Sequence, residues 1–235
     1  MDAVHNTTLA FVALDQNGDR SFSFYRNFGA DVFLTKDEVP EDVIKASKIF
    51  HFGSLSLTNE PAKTATDFAL KTAKESGCIV TLDPNYRPLL WDSEETAADV
   101  MRKYVPFADI VKFSLEEIQM VTGFEDVSQA ISEVLKTGVS IVLVTDGGNG
   151  VNFGTKDYHG FVPSLKLETV DTTGAGDIFF GTFLYEFLRS GKSPDTLTCK
   201  EAEAFVKKAV VISGLSTLKK GAIPSIPDYN SQADI

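Results

Sequence analysis

Cysteine and positive charge are both scarce in this sequence of 235 residues. The two cysteines, Cys78 and Cys199, are too few for a disulfide framework and lack the paired spacing of a zinc site, so we expect both to pack as small apolar side chains. Lysine and arginine number 22 against 33 acidic residues, which gives a net charge of -11. This surplus repels phosphate backbones and anionic lipids at long range, so we expect no nucleic-acid partner.

The sequence also lacks a run of the roughly 20 apolar residues that a membrane-spanning helix needs. Residues 1–10 lack the basic and apolar regions of a signal peptide. We therefore expect no membrane partner and a cytoplasmic location. With 43% hydrophobic residues the chain can bury one large core, and its length favours one domain with an accessory piece.

From Lys48 onward, short apolar runs alternate with amphipathic stretches. Strands are predicted at residues 49–53, 78–82, 109–112, 140–144, 151–153 and 159–162. Helices are predicted at residues 61–75, 94–104, twice between 115 and 136, and at 174–189 and 200–215. Such alternation is typical of right-handed crossovers, so the sequence predicts an α/β fold with a mostly parallel central sheet flanked by helices.

The residues before Lys48 show a different sequence pattern. Residues 9–15 and 21–26 are predicted to pair as a hairpin, because Asn17 and Gly18 between them suit a tight turn. Phe22 and Phe24 alternate with serines, so one face of this ribbon should be buried and the other wet.

The most informative stretch is Asp-Thr-Thr-Gly-Ala-Gly-Asp at residues 171–177, which runs directly into an apolar helical pattern. The glycines then lie at a helix N-terminus, where backbone amides and the helix dipole favour an anion. Asp177 would lie beside a bound phosphate, and a carboxylate there suggests proton acceptance during phosphoryl transfer. The alternative is a glycine-rich turn with an ordinary acidic residue in the first helical turn.

Two further motifs follow predicted strands, at the ends where open α/β sheets bind ligands. The loop at residues 145–150 makes Thr145, Gly147, Gly148 and Gly150 candidates for close backbone approach to a ligand, although a plain tight turn would need no function. The loop at residues 83–87 directs Asp83, Asn85 and Arg87 toward a crevice. Arg87 could equally pair with a structural carboxylate.

The motif at residues 171–177, followed by its apolar helix, resembles the C-terminal signature of the PfkB family of ribokinase-like carbohydrate kinases. The resemblance implies that Asp177 is the catalytic base and that the amides of Gly174, Ala175 and Gly176 form an anion hole. It also implies that Asp171 and Thr173 help to bind a monovalent cation such as K⁺. It implies a ribokinase-like fold in which residues 1–35 form a partial β lid and residues 36–235 form the nucleotide-binding and catalytic domain.

The segment from Lys112 to Glu117 is similar to the family's Asn-x-x-Glu segment, with Ser114 in place of the asparagine, as in several fructokinase-like members. The resemblance implies that Lys112 and Ser114 contact the nucleotide and that Glu117 is linked to Mg²⁺ and the phosphates. By itself Glu117 is more often a solvated helix residue. The segment at residues 210–226, which contains Gly221, resembles the family's closing segment that borders the adenine site, and an ordinary helix and loop is its alternative.

The string Asp-Pro-Asn-Tyr-Arg at residues 83–87 resembles fructokinases and ketodeoxygluconate kinases, which implies a substrate role for Asp83, Asn85 and Arg87. Tyr25 and Arg26 resemble residues of the family's lid, a small sheet that covers the sugar and often pairs subunits. They are therefore candidate substrate contacts, and the resemblance implies a homodimer formed through the lid.

We thus expect transfer of the γ-phosphoryl group of ATP, with Mg²⁺, to a sugar hydroxyl, with fructose as the best substrate. Ketodeoxygluconate or another sugar of the family is the alternative, and a non-catalytic nucleotide-binding or scaffold protein is an alternative of another class. The family's usual Asp and Gly-Gly-x-x-Asn sugar-binding motif is missing from residues 1–30. We therefore expect the chain alone to bind adenine nucleotide weakly, to phosphorylate sugar negligibly, and to aggregate or pair through an exposed sheet edge.

Overall fold

The computed structural model describes residues 3–14 and 20–229. The chain forms two compact units, Met1–Phe107 and Ala108–Ile235. Each unit contains strands that alternate with helices. In the part of the chain that the structure describes, no helix has the length and hydrophobicity that crossing a membrane requires. The division of the chain at residue 35 stays a prediction.

The first unit begins with an antiparallel ribbon of β1 (Leu9–Leu14) and β2 (Arg20–Tyr25). Leu9 lies opposite Tyr25, and Ala10 opposite Phe24. The predicted hairpin is therefore confirmed, whereas its turn at residues 16–19 lies outside the described residues.

The prediction of one buried face on this ribbon is wrong for the side chains that the structure describes. Phe24 is half-buried, but large apolar side chains on both faces are exposed: Leu9, Phe11, Val12 and Tyr25. A two-stranded ribbon has too little surface to bury its own apolar side chains, so alternation alone does not guarantee a covered face.

The rest of the first unit consists of α1 (Glu41–Ala46), β3 (Ile49–Gly53), α2 (Ala62–Glu75), β4 (Ile79–Asp83) and α3 (Glu94–Tyr104). Strands β3 and β4 are parallel, with Ile49 opposite Ile79, and α2 connects them. The helix buries a stripe of small side chains that includes Ala65, Ala69 and Ala73. Only α1 was not predicted.

The second unit consists of β5 (Ile110–Ser114), α4 (Leu115–Thr122), α5 (Val127–Lys136), β6 (Ile141–Asp146), β7 (Gly150–Thr155), β8 (Tyr158–Pro163), α6 (Ala175–Ser190) and α7 (Cys199–Ser216). Strands β5 and β6 are parallel, whereas β7 is antiparallel to both β6 and β8. Residues 141–144 of β6 are fully buried, as the continuous run Ile-Val-Leu-Val predicts for a strand covered on both faces. The α/β class is thereby confirmed, with mixed strand directions.

Because β5 and β6 are parallel, the predicted motifs at residues 112–117 and 145–150 meet at the carboxyl ends of these two strands. Ser114 lies opposite Thr145, and the Thr145 hydroxyl donates to the Phe113 carbonyl at 3.2 Å. The two cysteines are free: Cys78 is buried as expected, whereas Cys199 is partly exposed.

Candidate active site

The glycine-rich motif begins α6, as predicted. Gly174 precedes the helix with a φ of +77°, and a Cβ added there would lie 2.8 Å from the Cβ of Ala222. In the part of the chain that the structure describes, the amides of Gly174 and Gly176 make no hydrogen bond, whereas the Ala175 amide donates to the Thr172 carbonyl at 3.1 Å. Two of the three predicted anion-hole amides are therefore open to a ligand, and the third closes the turn.

Asp177 lies in the first turn of α6 and is exposed. Asp177 lines a mostly apolar cavity of about 620 Å³. The other lining residues come from α6 and from the C-terminal segment: Gly174, Ile178, Gly181, Thr182, Tyr185, Ala222, Ile223, Ile226 and Tyr229. The carboxylate is thus accessible beside the helix N-terminus, where a proton acceptor would have to stand.

Lys112 brings a positive charge to the same helix turn. It lies on β5 and is only 6% exposed. A Cβ added at Gly176 would lie 3.4 Å from both Cε and Nζ of Lys112, so the ammonium group reaches the first turn of α6. An anion bound at this turn would meet both the positive end of the helix dipole and the ammonium group.

Asp171 fixes the segment that leads into the helix. One carboxylate oxygen accepts hydrogen bonds from the amide and hydroxyl of Thr173, at 2.9 and 2.7 Å, and the other accepts from the Gly221 amide at 2.9 Å. The amides of Val170 and Asp171 both donate to the Thr217 carbonyl, at 2.8 and 3.0 Å. These bonds bring together three residues that sequence predicted for the cation and nucleotide sites: Asp171, Thr173 and Gly221.

A second cavity, of about 670 Å³, has the size of a small-molecule site. It is lined by Gly147 and Gly148 from the predicted loop and by Thr172 and Ala175 from the α6 motif. The segment at residues 210–226, which resembles the one that borders the adenine site, adds Ser213, Gly214 and Thr217. The remaining lining residues belong to no predicted motif: Ser164, Leu165, Lys166, Leu167, Glu168 and Thr169. Thr145 and Gly150 are not among its lining residues. A Cβ at Gly150 would come within 2.3 Å of the Val162 carbonyl, so strand pairing alone requires that glycine.

Ser114 and Glu117 form a capping box at the start of α4. The Ser114 amide donates to Glu117 Oε2 at 2.7 Å, and the Glu117 amide donates to Ser114 Oγ at 3.2 Å. Glu117 is buried, so the alternative of a solvated helix residue is wrong. No cluster of three or more histidine, cysteine, aspartate or glutamate residues suited to a metal ion occurs within residues 3–14 and 20–229.

Arg26, a predicted substrate contact, is held by groups of the first unit. Its Nε donates to Asp31 at 2.8 Å, Nη1 to Thr58 at 2.8 Å and Nη2 to the Leu55 carbonyl at 2.9 Å. Partial burial acts to raise the pKa of Asp31, but hydrogen bonds from Thr8 and Arg26 and the charge of Arg26 outweigh it and hold that pKa below its usual value. Tyr25 is exposed.

The other predicted substrate residues follow β4. Asp83 ends the strand and is buried, and Asn85 adopts the left-handed conformation with a φ of 51°. Nη1 of Arg87 donates to the Tyr86 carbonyl at 2.9 Å. All predicted substrate residues except Asp177 lie in the first unit, and all predicted catalytic, nucleotide and cation residues lie in the second.

An exposed carboxylate, open amides and a buried ammonium group at one helix turn, beside a cavity of nucleotide size, fit the class of nucleotide-dependent phosphotransferases. Comparison with models of known families identifies the protein family. The model of the pfkB family carbohydrate kinases matches residues 1–229, and this chain belongs to that family.

Similar proteins include fructokinases. Fructokinase-1 of Zea mays is 41% identical over 228 residues, which is 96% of this chain and 70% of that protein. The crystal structure of Xylella fastidiosa fructokinase with bound ATP superposes with a TM-score of 0.87 at 30% identity, over 97% of this chain and 73% of that one. A Vibrio cholerae fructokinase double mutant, in its fructose, ADP and potassium ion bound form, gives 0.85 at 30% identity, over 99% and 73%. The predicted ribokinase-like fold and membership of a carbohydrate kinase family are thereby confirmed.

Proposed function

We propose that this chain carries the catalytic machinery of an ATP-dependent fructokinase, which transfers the γ-phosphoryl group of ATP to a hydroxyl group of fructose. The observation that carries the proposal is the start of α6, where Asp177 stands beside open backbone amides and the buried ammonium group of Lys112. The similar fructokinases, one solved with ATP and one with fructose, ADP and potassium ion, support the choice of substrates.

In this proposal the nucleotide occupies the cavity lined by Gly147, Gly148, Thr172 and Ala175, with its phosphates toward α6. The amides of Gly174 and Gly176 donate to the transferring phosphoryl group, and Lys112 balances its charge. Because these donors are fixed by a helix and a strand, they need little reorganisation as charge develops. Asp177 accepts the proton of the attacking hydroxyl, which becomes a better nucleophile as it loses that proton.

Mg²⁺ is part of the proposal because kinases of this kind use it to neutralise phosphate charge. Most ligands of such an ion are phosphate oxygens and waters, so the lack of an acidic cluster in the described part of the chain fits an ion carried by the nucleotide. Glu117 lies at the capping box of α4 and would contribute through water. Asp171 and Thr173 would help to hold a K⁺ ion beside the start of α6.

On the sugar side, we propose Tyr25, Arg26, Asp83, Asn85 and Arg87 as contacts. Arg26 retains two of its five donors for a ligand after its three internal hydrogen bonds. Ketodeoxygluconate is the second candidate substrate, because two arginines suit a carboxylated sugar. On the nucleotide side, we propose Thr145, Gly150, Ser114 and Gly221 as further nucleotide contacts outside the lining of the second cavity.

A sugar panel tests the substrate. Fructose, ketodeoxygluconate, ribose and glucose are each offered with ATP and Mg²⁺, and ADP release is measured. The panel uses the 235-residue chain and a longer version that supplies the Asp and Gly-Gly-x-x-Asn motif. We expect fructose to give the highest kcat/KM in the longer version and negligible turnover in the chain alone. Equal or better turnover of ketodeoxygluconate would contradict the fructose assignment.

A non-catalytic nucleotide-binding protein is the alternative of another class. Calorimetry with a non-hydrolysable ATP analogue, run beside the sugar panel, separates the two. Binding without turnover in either version would favour the non-catalytic role, whereas turnover in either version excludes it.

We also propose that two copies pair through the β1–β2 ribbon, and that the protein works in the cytoplasm. The exposed apolar side chains on both faces of the ribbon support the pairing, since isolated ribbons rarely leave so much apolar surface in water. The free cysteines are compatible with a reducing compartment.

A further inference from the structure

Ala222 lies in the segment that follows α7, and its methyl group borders the start of α6. A Cβ added at Gly174 would lie 2.8 Å from the Cβ of Ala222 and 3.4 Å from its Cα. Apart from the chain neighbours of Gly174, the next nearest atom of the described residues, Oδ2 of Asp177, would be 4.0 Å away. The methyl group therefore occupies the space that a side chain at residue 174 would take, directly beside the glycine whose amide is open to a ligand.

Gly174 needs support from outside its own turn. It precedes α6 in the left-handed conformation, with a φ of +77°. Glycine adopts many backbone conformations readily, so the residue itself does little to keep the turn in this one. The direction of the Gly174 amide follows from that conformation, and a rotation of the turn would direct the amide away from an anion at the helix N-terminus. A neighbour in a fixed position would remove this freedom.

Ala222 is such a neighbour, because hydrogen bonds hold the backbone on both sides of its methyl group. The Gly221 amide donates to Asp171 at 2.9 Å. The Ala222 carbonyl accepts hydrogen bonds from the amide and the hydroxyl of Ser225, at 3.2 and 2.7 Å, and Ser225 is buried. Asp171 also accepts from the amide of Thr173, so one carboxylate fixes both the segment that carries Ala222 and the residues that lead into α6.

We propose that Ala222 is a positioning residue for phosphoryl transfer, and that its methyl group keeps the Gly174 amide directed at the transferring phosphoryl group. A methyl group carries no charge and donates no hydrogen bond, so it acts through Gly174 and not on the phosphoryl group. Size is the property that matters, because a larger side chain at residue 222 displaces the turn and a hydrogen atom leaves it unsupported. The inference rests on the proposed function, because it takes the α6 amides to bind the phosphates.

Three substitutions of Ala222 test this role on the 235-residue chain, with dissociation constants for a non-hydrolysable ATP analogue and for AMP measured by calorimetry. Ala222→Val, which adds two methyl groups beside Gly174, should lower the affinity for the analogue about 10-fold, the worth of one hydrogen bond to a charged group. Ala222→Gly, which adds no bulk that could prevent folding, should lower it about 3- to 10-fold. Ala222→Ser, close to alanine in size, should retain it. AMP lacks the outer phosphates and should bind equally to all variants.

In the longer version, the same substitutions separate positioning from substrate binding. Ala222→Val should lower kcat about 10- to 100-fold, since a displacement of about 1 Å in an active site can cost about 10² in rate. KM for fructose should stay unchanged, because the proposed sugar contacts lie in other segments. Ala222→Ser should return kcat to near its original value.

Leu218→Ala is the matched control, because Leu218 is an exposed apolar residue of the same segment and lies outside the lining of both cavities. It should change neither affinity nor kcat. Equal losses for AMP and the analogue, an equal loss in Leu218→Ala, or unchanged affinity in both Ala222→Val and Ala222→Gly overturns the inference while the proposed function stands. If the unaltered chain binds the analogue no more tightly than AMP, the α6 turn does not hold phosphates, and the proposed function fails with the inference.

Discussion

Asp177 combines exposure with a position in the first turn of α6, beside two open amides. We expect Asp177→Asn, measured in the longer version, to lower kcat by about 10² to 10⁴ because the amide cannot accept a proton. Binding of an ATP analogue should remain nearly unchanged, since the side-chain shape is kept. A near-normal kcat would refute the assignment of the base.

Lys112 places a buried positive charge beside the first turn of α6. Lys112→Met keeps the length of the side chain and removes its charge. Because hydrogen bonds to charged groups are worth about 1.5–3 kcal/mol, the affinity for a triphosphate analogue should fall about 10- to 100-fold while that for AMP changes little. Lys136→Met, at an exposed lysine on α5, is the control and should change neither. Equal losses for AMP and the analogue would mean that Lys112 only supports the fold.

The residues that sequence could predict are those that carry a motif. Residues 171–177 were predictable because closely spaced glycines between two aspartates, directly before an apolar helical pattern, are typical of an anion site at a helix N-terminus. Ser213, Gly214 and Thr217 line the second cavity and fall in the segment at residues 210–226, which resemblance associates with the adenine site. The lining residues between 164 and 169 carry no motif, because their place beside the cavity depends on residues far away in sequence and not on local spacing.

Among the helices and strands, those with strong end signals were predicted best. Helix α3 spans Glu94–Tyr104, as predicted, because acidic residues begin it and Arg102 and Lys103 end it. Helix α1 was missed because it has six residues, follows Pro40 and buries only Ile44, which leaves no periodic pattern to detect. Strand β6 was recognised from its apolar run, but its antiparallel pairing with β7 depends on the turn that joins them.

Gly214 allows a test at the level of α7. Gly214→Ala should stabilise the helix by about 1 kcal/mol and raise Tm. The added methyl group would meet the Cδ1 atoms of Leu165 and Leu167 at 3.4 Å, which is an ordinary van der Waals contact, so the gain should not be lost to a clash. Thermal unfolding of the variant checks this. An unchanged or lower Tm would show that the leucines do not accommodate the methyl group.

The start of α7 is stabilised by Glu201. Hydrogen bonds from Lys192, at 2.6 Å, and from the hydroxyl and amide of Thr198, at 2.5 and 3.0 Å, lower the pKa of its carboxyl group to about 2. A carboxylate whose pKa is lowered by folding stabilises the folded state above its unfolded pKa, near 4.5, and loses this contribution as pH falls toward 2.

Glu201→Gln should therefore lower Tm at pH 7, and its difference from the unaltered chain should shrink between pH 4.5 and about 2. Thermal unfolding followed by circular dichroism measures this. Lys192→Met keeps both hydrogen bonds from Thr198 to Glu201. The difference in Tm between this variant and the unaltered chain should shrink over the same pH range, but it should be smaller than the difference for Glu201→Gln. A Tm difference that is constant with pH would contradict the role of the charge.

For the molecule as a whole, the alternation of strands and helices was enough to predict the α/β class. It was not enough to predict the exposure of the ribbon, because burial of β1 and β2 depends on what else covers them. The predicted sugar contacts other than Asp177 lie in one unit, and the predicted catalytic residues lie in the other. The sequence did not predict this division either.

Substitutions on the β1–β2 ribbon can test whether two copies of the chain pair through it. Phe11→Ser removes a 58% exposed aromatic side chain from β1 and should shift the chain from dimer to monomer in analytical ultracentrifugation. Phe161→Ser, at a 52% exposed phenylalanine on β8, is the matched control and should leave the dimer intact. A chain that is monomeric without either substitution would exclude the proposed pairing.

The carbonyl of Thr217 accepts hydrogen bonds from the amides of both Val170 and Asp171, and Thr217 also lines the cavity proposed for the nucleotide. Asp171 in turn holds Thr173, just before the α6 N-terminus. One wall of this cavity and the first turn of α6 are therefore joined through Thr217. By thermodynamic linkage, any ordering of Thr217 by a ligand in the cavity raises the affinity of the α6 turn for an anion, and the anion returns the same increment to the ligand.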